Sequence, residues 1–153
     1  MVAADVGLTH VALPVRDVDA SVAFYARYAG MQVVHRRDGH ELGNPGNPGN
    51  PGNRVVWCSD LTRPFVIVLI ETPVTHVLGG WAHLGVGCAT REVVDARCAA
   101  ARAEGITVAG PFDDGPPVGY WAILTDPDGH HLELSYGQEV GSAVARARHA
   151  SRS

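Results

Sequence analysis

Apolar and polar positions along the chain follow one order that occurs twice. Each half opens with a short apolar run, residues 8–15 and then 82–88, and continues with a stretch of helical periodicity that ends at Gly30 or Gly105. A period of two indicates a strand and a period near 3.6 a helix. A strand follows each helix, and two more strand-like runs complete each half: residues 54–59 and 64–71, then 119–125 and 130–136. The sequence therefore predicts a β-α-β-β-β module, present twice, in the α+β class.

The two modules, residues 7–72 and 80–137, fit one predicted domain over residues 1–140. With 46% apolar residues, a chain of 153 residues is long enough for one sizeable core. Residues 43–53 repeat Gly-Asn-Pro and carry no apolar side chain, which predicts a flexible connection between the second and third strands. Residues 141–153, rich in alanine, arginine and serine, are predicted to be a frayed helix or tail.

Two histidines occupy equivalent places in the repeat. His10 and His83 each lie at the start of the first strand of a module. Aligning Ser59-Asp60 with Thr125-Asp126 places Val68 of the first module opposite Glu133 of the second. Two imidazoles and one carboxylate therefore lie on equivalent strands, with valine at the fourth place.

Strand alternation predicts that these three side chains share an interior. If the faces that carry them line one concave sheet, the imidazoles and the carboxylate converge. A lone histidine in a strand is more often a hydrogen-bonded core or surface residue than a ligand. Glu133, however, lies between Leu132 and Leu134, where a buried carboxylate needs a cation or a donor. Imidazole and carboxylate suit Fe²⁺, Mn²⁺, Ni²⁺, Co²⁺ or Zn²⁺, and three ligands leave positions open for substrate.

The same residues match a known family. The segments 8–15, 81–84 and 126–134, the last reading Asp-Pro-Asp-Gly-His-His-Leu-Glu-Leu, resemble the vicinal oxygen chelate superfamily of glyoxalases, extradiol dioxygenases and bleomycin-binding proteins. The resemblance covers about residues 7–137. It implies two tandem modules forming an open, cup-shaped, eight-stranded mixed sheet, with metal ligands at His10, His83 and Glu133. Glyoxalase-type enzymes usually have glutamate or glutamine where this chain has Val68.

The resemblance also leaves several functions open. It implies a divalent-metal-dependent lyase or isomerase that chelates a small oxygenated substrate and acts by electrophilic catalysis. The alternatives are an extradiol-type dioxygenase and a metal-free protein that binds an antibiotic. Dioxygenases carry a catalytic tyrosine where this chain has Ile123, with Tyr120 close by. Catalytic roles are predicted for His131 and Tyr120, and the predicted substrate pocket consists of Trp57, Val68, Trp121 and Ile123.

Composition and charge limit the classes of binding partner that we expect. The formal net charge is −4, and no basic patch is present, so neither nucleic acid nor a membrane surface is an expected partner. All twelve basic residues are arginine, which excludes Schiff-base chemistry on lysine. The N-terminus shows no basic segment followed by a long apolar stretch, so we expect a cytoplasmic location. Exposed strand edges in such modules predict a homodimer, with the modules paired within a chain or exchanged between chains.

Overall fold

A computed structural model describes residues 4–39 and 53–152 of the chain. The Gly-Asn-Pro connection, apart from Asn53, lies outside these residues. The order of elements is the predicted one, with strands and helices at these bounds: β1 His10–Val15, α1 Val18–Ala29, β2 Gln32–Arg37, β3 Val55–Ser59, β4 Val66–Glu71, β5 Leu84–Gly87, α2 Arg91–Ala103, β6 Val108–Asp113, β7 Tyr120–Thr125, β8 His131–Tyr136 and α3 Val140–Ala150.

The eight strands form two four-stranded mixed sheets, one in each module. The first sheet has the order β1-β4-β3-β2 and the second the order β5-β8-β7-β6. In both sheets the first and last strands of the module are parallel neighbours, and the remaining pairs are antiparallel. The predicted α+β class and the repeated module are therefore confirmed.

The chain divides into two compact units. Unit 1 comprises Met1–Val77 with Asp126–Gly129, and unit 2 comprises Leu78–Thr125 with His130–Ser153. In each unit one face of the sheet packs against the helix of that module, and we call the other face the open face. The side chains beneath the helices are buried and apolar: Leu13, Val15, Ile67 and Leu69 in unit 1, and Ala122, Leu124, Leu132 and Leu134 in unit 2.

Local sequence explains where the helices begin and end. Asp17 caps α1 by accepting hydrogen bonds from the backbone N–H groups of Asp19 and Ala20, and Thr90 caps α2 by accepting one from Val93. Gly30 ends α1 in the left-handed conformation, with φ of 64°. Helix α3 occupies part of the predicted tail, and none of its residues is buried. In the part of the chain that the structure describes, no helix is long and apolar enough to cross a membrane.

Candidate functional site

The open face of unit 2 holds an imidazole and a carboxylate side by side. His83, immediately before β5, places its Nε2 3.2 Å from Oε2 of Glu133 in the middle of β8. Glu133 is only 8% exposed. Gly85 of β5 and Ile123 of β7 are its register partners.

A tight turn before β5 fixes how His83 is oriented. The turn is closed by a hydrogen bond from the N–H of Ala82 to the carbonyl of Gly79, 3.1 Å long. Nδ1 of His83 lies 2.9 Å from the carbonyl oxygen of Trp81 in this turn. Because a carbonyl can only accept, Nδ1 must carry the proton, and a neutral His83 presents its Nε2 lone pair to Glu133.

The same turn orients a second imidazole. Nδ1 of His131 lies 3.3 Å from the carbonyl oxygen of Gly80, so this nitrogen is again the donor. His131 is two residues before Glu133 on β8 and shares its face of the strand. Two neighbouring carbonyls of one turn therefore leave the Nε2 atoms of His83 and His131 free to bind a proton or a metal ion.

The contact between His83 and Glu133 calls for a cation. An imidazole lone pair and a carboxylate lone pair that face each other repel, unless a proton or a metal ion neutralises them. The 3.2 Å between Nε2 and Oε2 is close to the roughly 3 Å that separates adjacent ligand atoms when metal bonds are about 2.1 Å long. Glu133 Oε1 accepts a 2.7 Å hydrogen bond from the side-chain amide of Gln138. Hydrogen-bonded partners of this kind hold metal ligands in place, so the donor set fits a divalent ion.

We expect a Gly80→Ala variant to disturb both imidazoles. Gly80 has φ of 62°, a conformation that costs alanine roughly 1 kcal/mol, so the turn and its two carbonyls should shift. Nitrogen-15 NMR should then show weaker protection of both Nδ1–H groups, and metal affinity should fall about tenfold. Gly115→Ala is the matched control, because Gly115 also has positive φ and open space around its Cβ position. Equal effects of the two substitutions would contradict the role of the turn.

A cavity of ≈ 460 Å³ lies over this pair. Its wall includes His131, Glu133 and His83, and also Trp121 and Ile123, the two residues of β7 predicted to line a pocket. The indole N–H of Trp121 donates to Oδ2 of Asp114 at 2.7 Å, which holds the ring in position. Aromatic walls with a few directed polar groups are typical of small-molecule sites.

The open face of unit 1 has a larger cavity, of ≈ 910 Å³. His10, Trp57 and Val68 line it. Ala12 pairs with Val68 across β1 and β4, as Gly85 pairs with Glu133 across β5 and β8. Val68 therefore occupies the position equivalent to Glu133, and the alignment made from the sequence is confirmed.

Tyr120 lies away from the cavity in unit 2. It precedes Trp121 on β7, so its side chain turns to the helix side of the sheet, where its hydroxyl donates to Oδ1 of Asp95 on α2 at 2.6 Å. This hydrogen bond and the charge of Asp95 raise the pKa of the tyrosine. The structure therefore does not bring Tyr120 together with Glu133.

The three predicted metal ligands belong to different units. His83 and Glu133 are in unit 2, and His10 is in unit 1, where Thr9 Oγ1 lies 2.9 Å from its Nδ1. Within residues 4–39 and 53–152, no group of three histidine, cysteine, aspartate or glutamate side chains is gathered in one place. Of the predicted ligands, His83 and Glu133 lie side by side within unit 2.

Sequence reasoning missed the groups that orient the ligands. Gln138 follows the end of β8, and no periodic pattern relates it to Glu133. The carbonyls of Gly80 and Trp81 belong to the backbone, which every residue has. The one available signal was glycine at position 80, since a turn that needs positive φ favours it.

The fold and the site together define a class: two β-α-β-β-β modules with a histidine–glutamate pair on the open face of the second. Residues 7–134 match the sequence model of the Glyoxalase/Bleomycin resistance protein/Dioxygenase superfamily. The chain therefore belongs to this superfamily. The resemblance stated from the sequence motifs is confirmed.

Relatives of known sequence or structure agree with this assignment. The chain is 37% identical over 138 residues to the uncharacterized protein PA2024 of Pseudomonas aeruginosa, covering 88% of this chain and 91% of the relative. A variant of the Listeria monocytogenes fosfomycin resistance protein FosX, complexed with Mn(II) and 1S,2S-dihydroxypropylphosphonic acid, is similar with a TM-score of 0.69 and 17% identity over 92% of this chain and 98% of that one. TnmS3, an antibiotic binding protein from Streptomyces sp. CB03234, gives a TM-score of 0.61 and 22% identity over 88% and 98%. At these identities the two structures show the fold alone.

Proposed function

We propose that the protein is a divalent-metal-dependent enzyme of the glyoxalase-like type that acts as a lyase or isomerase on a small oxygenated molecule. The observation that carries this proposal is the His83–Glu133 pair, whose Nε2 and Oε2 atoms lie 3.2 Å apart on the wall of a cavity. His10, the equivalent histidine of the other module, would be the third ligand. The ion would be Fe, Mn, Ni, Co or Zn in its divalent form.

Each side chain then has a distinct task. When bound, such an ion polarises a carbonyl or hydroxyl of the substrate and stabilises negative charge on oxygen. Glu133 supplies the anionic ligand, held by Gln138, and His83 supplies a neutral one, held by the Trp81 carbonyl. His131, with Nδ1 bonded to Gly80, keeps Nε2 available to accept a proton from the substrate and return it at another atom. Apolar Val68, at the fourth place, leaves that position without a protein ligand.

The homodimer is also part of the proposal. The first and second modules carry complementary parts of the ligand set, and His10 would come from the same chain or from a second copy. Titration of metal into wild type at rising protein concentration, followed by size-exclusion chromatography, separates the two arrangements, because a shared site binds metal only in the dimer.

Metal loading tests the proposal directly. The chain should be stripped with a chelator, dialysed against each of the five ions, and assayed by plasma mass spectrometry, with about one ion per chain expected. A His10→Ala variant should bind the ion roughly 100-fold more weakly, since it loses one ligand. His76→Ala is the matched control, because exposed His76 also has a preceding threonine whose Oγ1 lies 2.9 Å from its Nδ1. Failure of all five ions to bind would overturn the proposal.

A second candidate is a metal-free protein that binds an antibiotic or another small molecule. The aromatic wall of the cavity in unit 2 favours it, since Phe112 and Trp121 contact each other with ring centroids 4.9 Å apart. The fold is shared with the antibiotic binding protein TnmS3. The extradiol dioxygenase alternative has less support, because Ile123 stands beside Glu133 and Tyr120 faces α2.

A further inference from the structure

We propose that the cavity of unit 1 binds the flat, carboxylate-bearing part of the substrate, which makes the substrate an aryl carboxylate or a similarly planar unsaturated acid. This inference deepens the proposed function, since it names the substrate class. It is carried by two features of the cavity, an exposed aromatic wall and an arginine with no acidic partner among the described residues.

The aromatic wall is formed by Trp57. This residue lies in the middle of β3, between buried Val56 and Cys58, yet it is 41% exposed because its indole stands on the open face. His35 of β2 pairs with it and contacts the indole, with ring centroids 4.8 Å apart and planes inclined at 56°. That contact leaves a large part of the indole open to the cavity, and a flat apolar group that covers it gains both burial and aromatic contact.

The positive charge on the cavity wall is supplied by Arg63. In the described part of the chain its guanidinium makes one long hydrogen bond, from Nε to Thr62 Oγ1 at 3.4 Å, and no carboxylate there lies within ion-pair distance. Three other arginines of unit 1, Arg16, Arg36 and Arg54, are each paired with a carboxylate. Arg63 therefore keeps its planar donor groups for an anion in the cavity, and a carboxylate is the anion that they match in shape.

The remaining wall residues fit the same ligand. Phe65 and Val68 add apolar surface, and Asp5, the acid in this wall, makes no ion pair with Arg63. A cavity of ≈ 910 Å³ is within the range of about 300–1,000 Å³ that small-molecule sites have. His10 lines the same cavity, so a ligand seated on Trp57 and Arg63 shares its space with a proposed metal ligand.

Three related probes test both features on the intact, metal-stripped chain: benzoate, its uncharged analogue benzamide, and the non-planar cyclohexanecarboxylate. Ligand-observed NMR titration gives each affinity. We expect benzoate to bind about tenfold more tightly than benzamide, and several-fold more tightly than cyclohexanecarboxylate. Arg63→Gln should reduce the affinity for benzoate to that for benzamide and leave the affinity for benzamide unchanged. Arg146→Gln, on exposed α3, should behave like wild type.

The outcomes separate this inference from the proposed function. Equal binding of benzoate and benzamide, absence of benzoate binding, or an unaltered benzoate preference in the folded Arg63→Gln variant would overturn the inference, whatever the metal measurements give. Conversely, the preference for benzoate can depend on Arg63 while none of the five ions binds. That result would support the proposed ligand class of the cavity and overturn the proposed metal-dependent activity. Circular dichroism on each variant shows that the fold is retained, which is expected because Arg63 is exposed.

Discussion

A Glu133→Gln variant will bind divalent metal at least about 100-fold more weakly than the wild-type chain, because it loses the anionic ligand and keeps only imidazole beside it. The measurement is equilibrium dialysis of the stripped protein against Mn²⁺, Co²⁺ or Zn²⁺, with metal counted by plasma mass spectrometry. The effect should exceed that of any substitution in the groups that merely orient the site, such as Gln138 or Gly80.

The metal-free variant should nevertheless be as stable as wild type. The introduced amide oxygen can accept the hydrogen bond from Gln138, and the amide N–H₂ can donate to Nε2 of His83, which the Trp81 carbonyl leaves as an acceptor. The free energy of unfolding should therefore change by less than about 1 kcal/mol. Loss of metal together with loss of the fold would mean that the carboxylate has a structural role instead.

The control makes the same chemical change at Glu139, six residues after Glu133 in the sequence. Glu139, at the start of α3, makes no capping hydrogen bond with its side chain. Glu139→Gln should bind metal like wild type, since Glu139 does not line the cavity of unit 2 that contains Glu133. Equal losses in the two variants would show that the effect comes from net charge and not from ligation, and would contradict the assignment of Glu133.

The second large effect is on stability, at Tyr25 in helix α1. This tyrosine is fully buried, and its hydroxyl donates to Oδ2 of Asp126 at 2.9 Å. Burial and the charge of Asp126 raise its pKa well above the ordinary value, so the hydroxyl stays protonated and remains a donor. Tyr25→Phe leaves a carboxylate that is 5% exposed without this donor. We expect a loss of about 3 kcal/mol, or a fall of roughly 10 °C in the midpoint of thermal unfolding.

Tyr28 offers a matched control in the same helix. It is as buried as Tyr25, but its hydroxyl lies 3.3 Å from Nε of exposed Arg27, which water can solvate when the hydroxyl is removed. Tyr28→Phe should cost less than about 1 kcal/mol. If the two substitutions cost the same, the hydrogen bond to Asp126 contributes nothing particular to stability.

The role of Asp126 and Asp128 shows what the motif at residues 126–129 does in unit 1. Oδ1 of Asp128 accepts hydrogen bonds from the backbone N–H and from the guanidinium of Arg16, each at 3.1 Å. The backbone N–H of Asp128 donates to Oδ1 of Asp126. The motif was recognised from the sequence as a family signature, but each of its two buried carboxylates also has a partner more than 100 positions earlier, Tyr25 for Asp126 and Arg16 for Asp128, which no local pattern reveals.

The sequence by itself determined the two modules, the order of their strands along the chain and the equivalence of Val68 with Glu133. Those features depend on local periodicity and on repetition, and both can be read from the order of residues along the chain. The end of the first helix at Gly30 was readable for the same reason, because a helix end depends on the residues adjacent to it.

Only the tertiary structure decided which groups meet. It paired the hydroxyl of Tyr120 with Asp95 of α2, 25 positions earlier in the chain. It also assigned the carbonyls of Gly80 and Trp81 to His131 and His83, and Gln138 to Glu133. The physical reason is that a hydrogen bond depends on the position and direction of two groups to within a few tenths of an ångström, whereas sequence periodicity determines only the face on which a side chain lies.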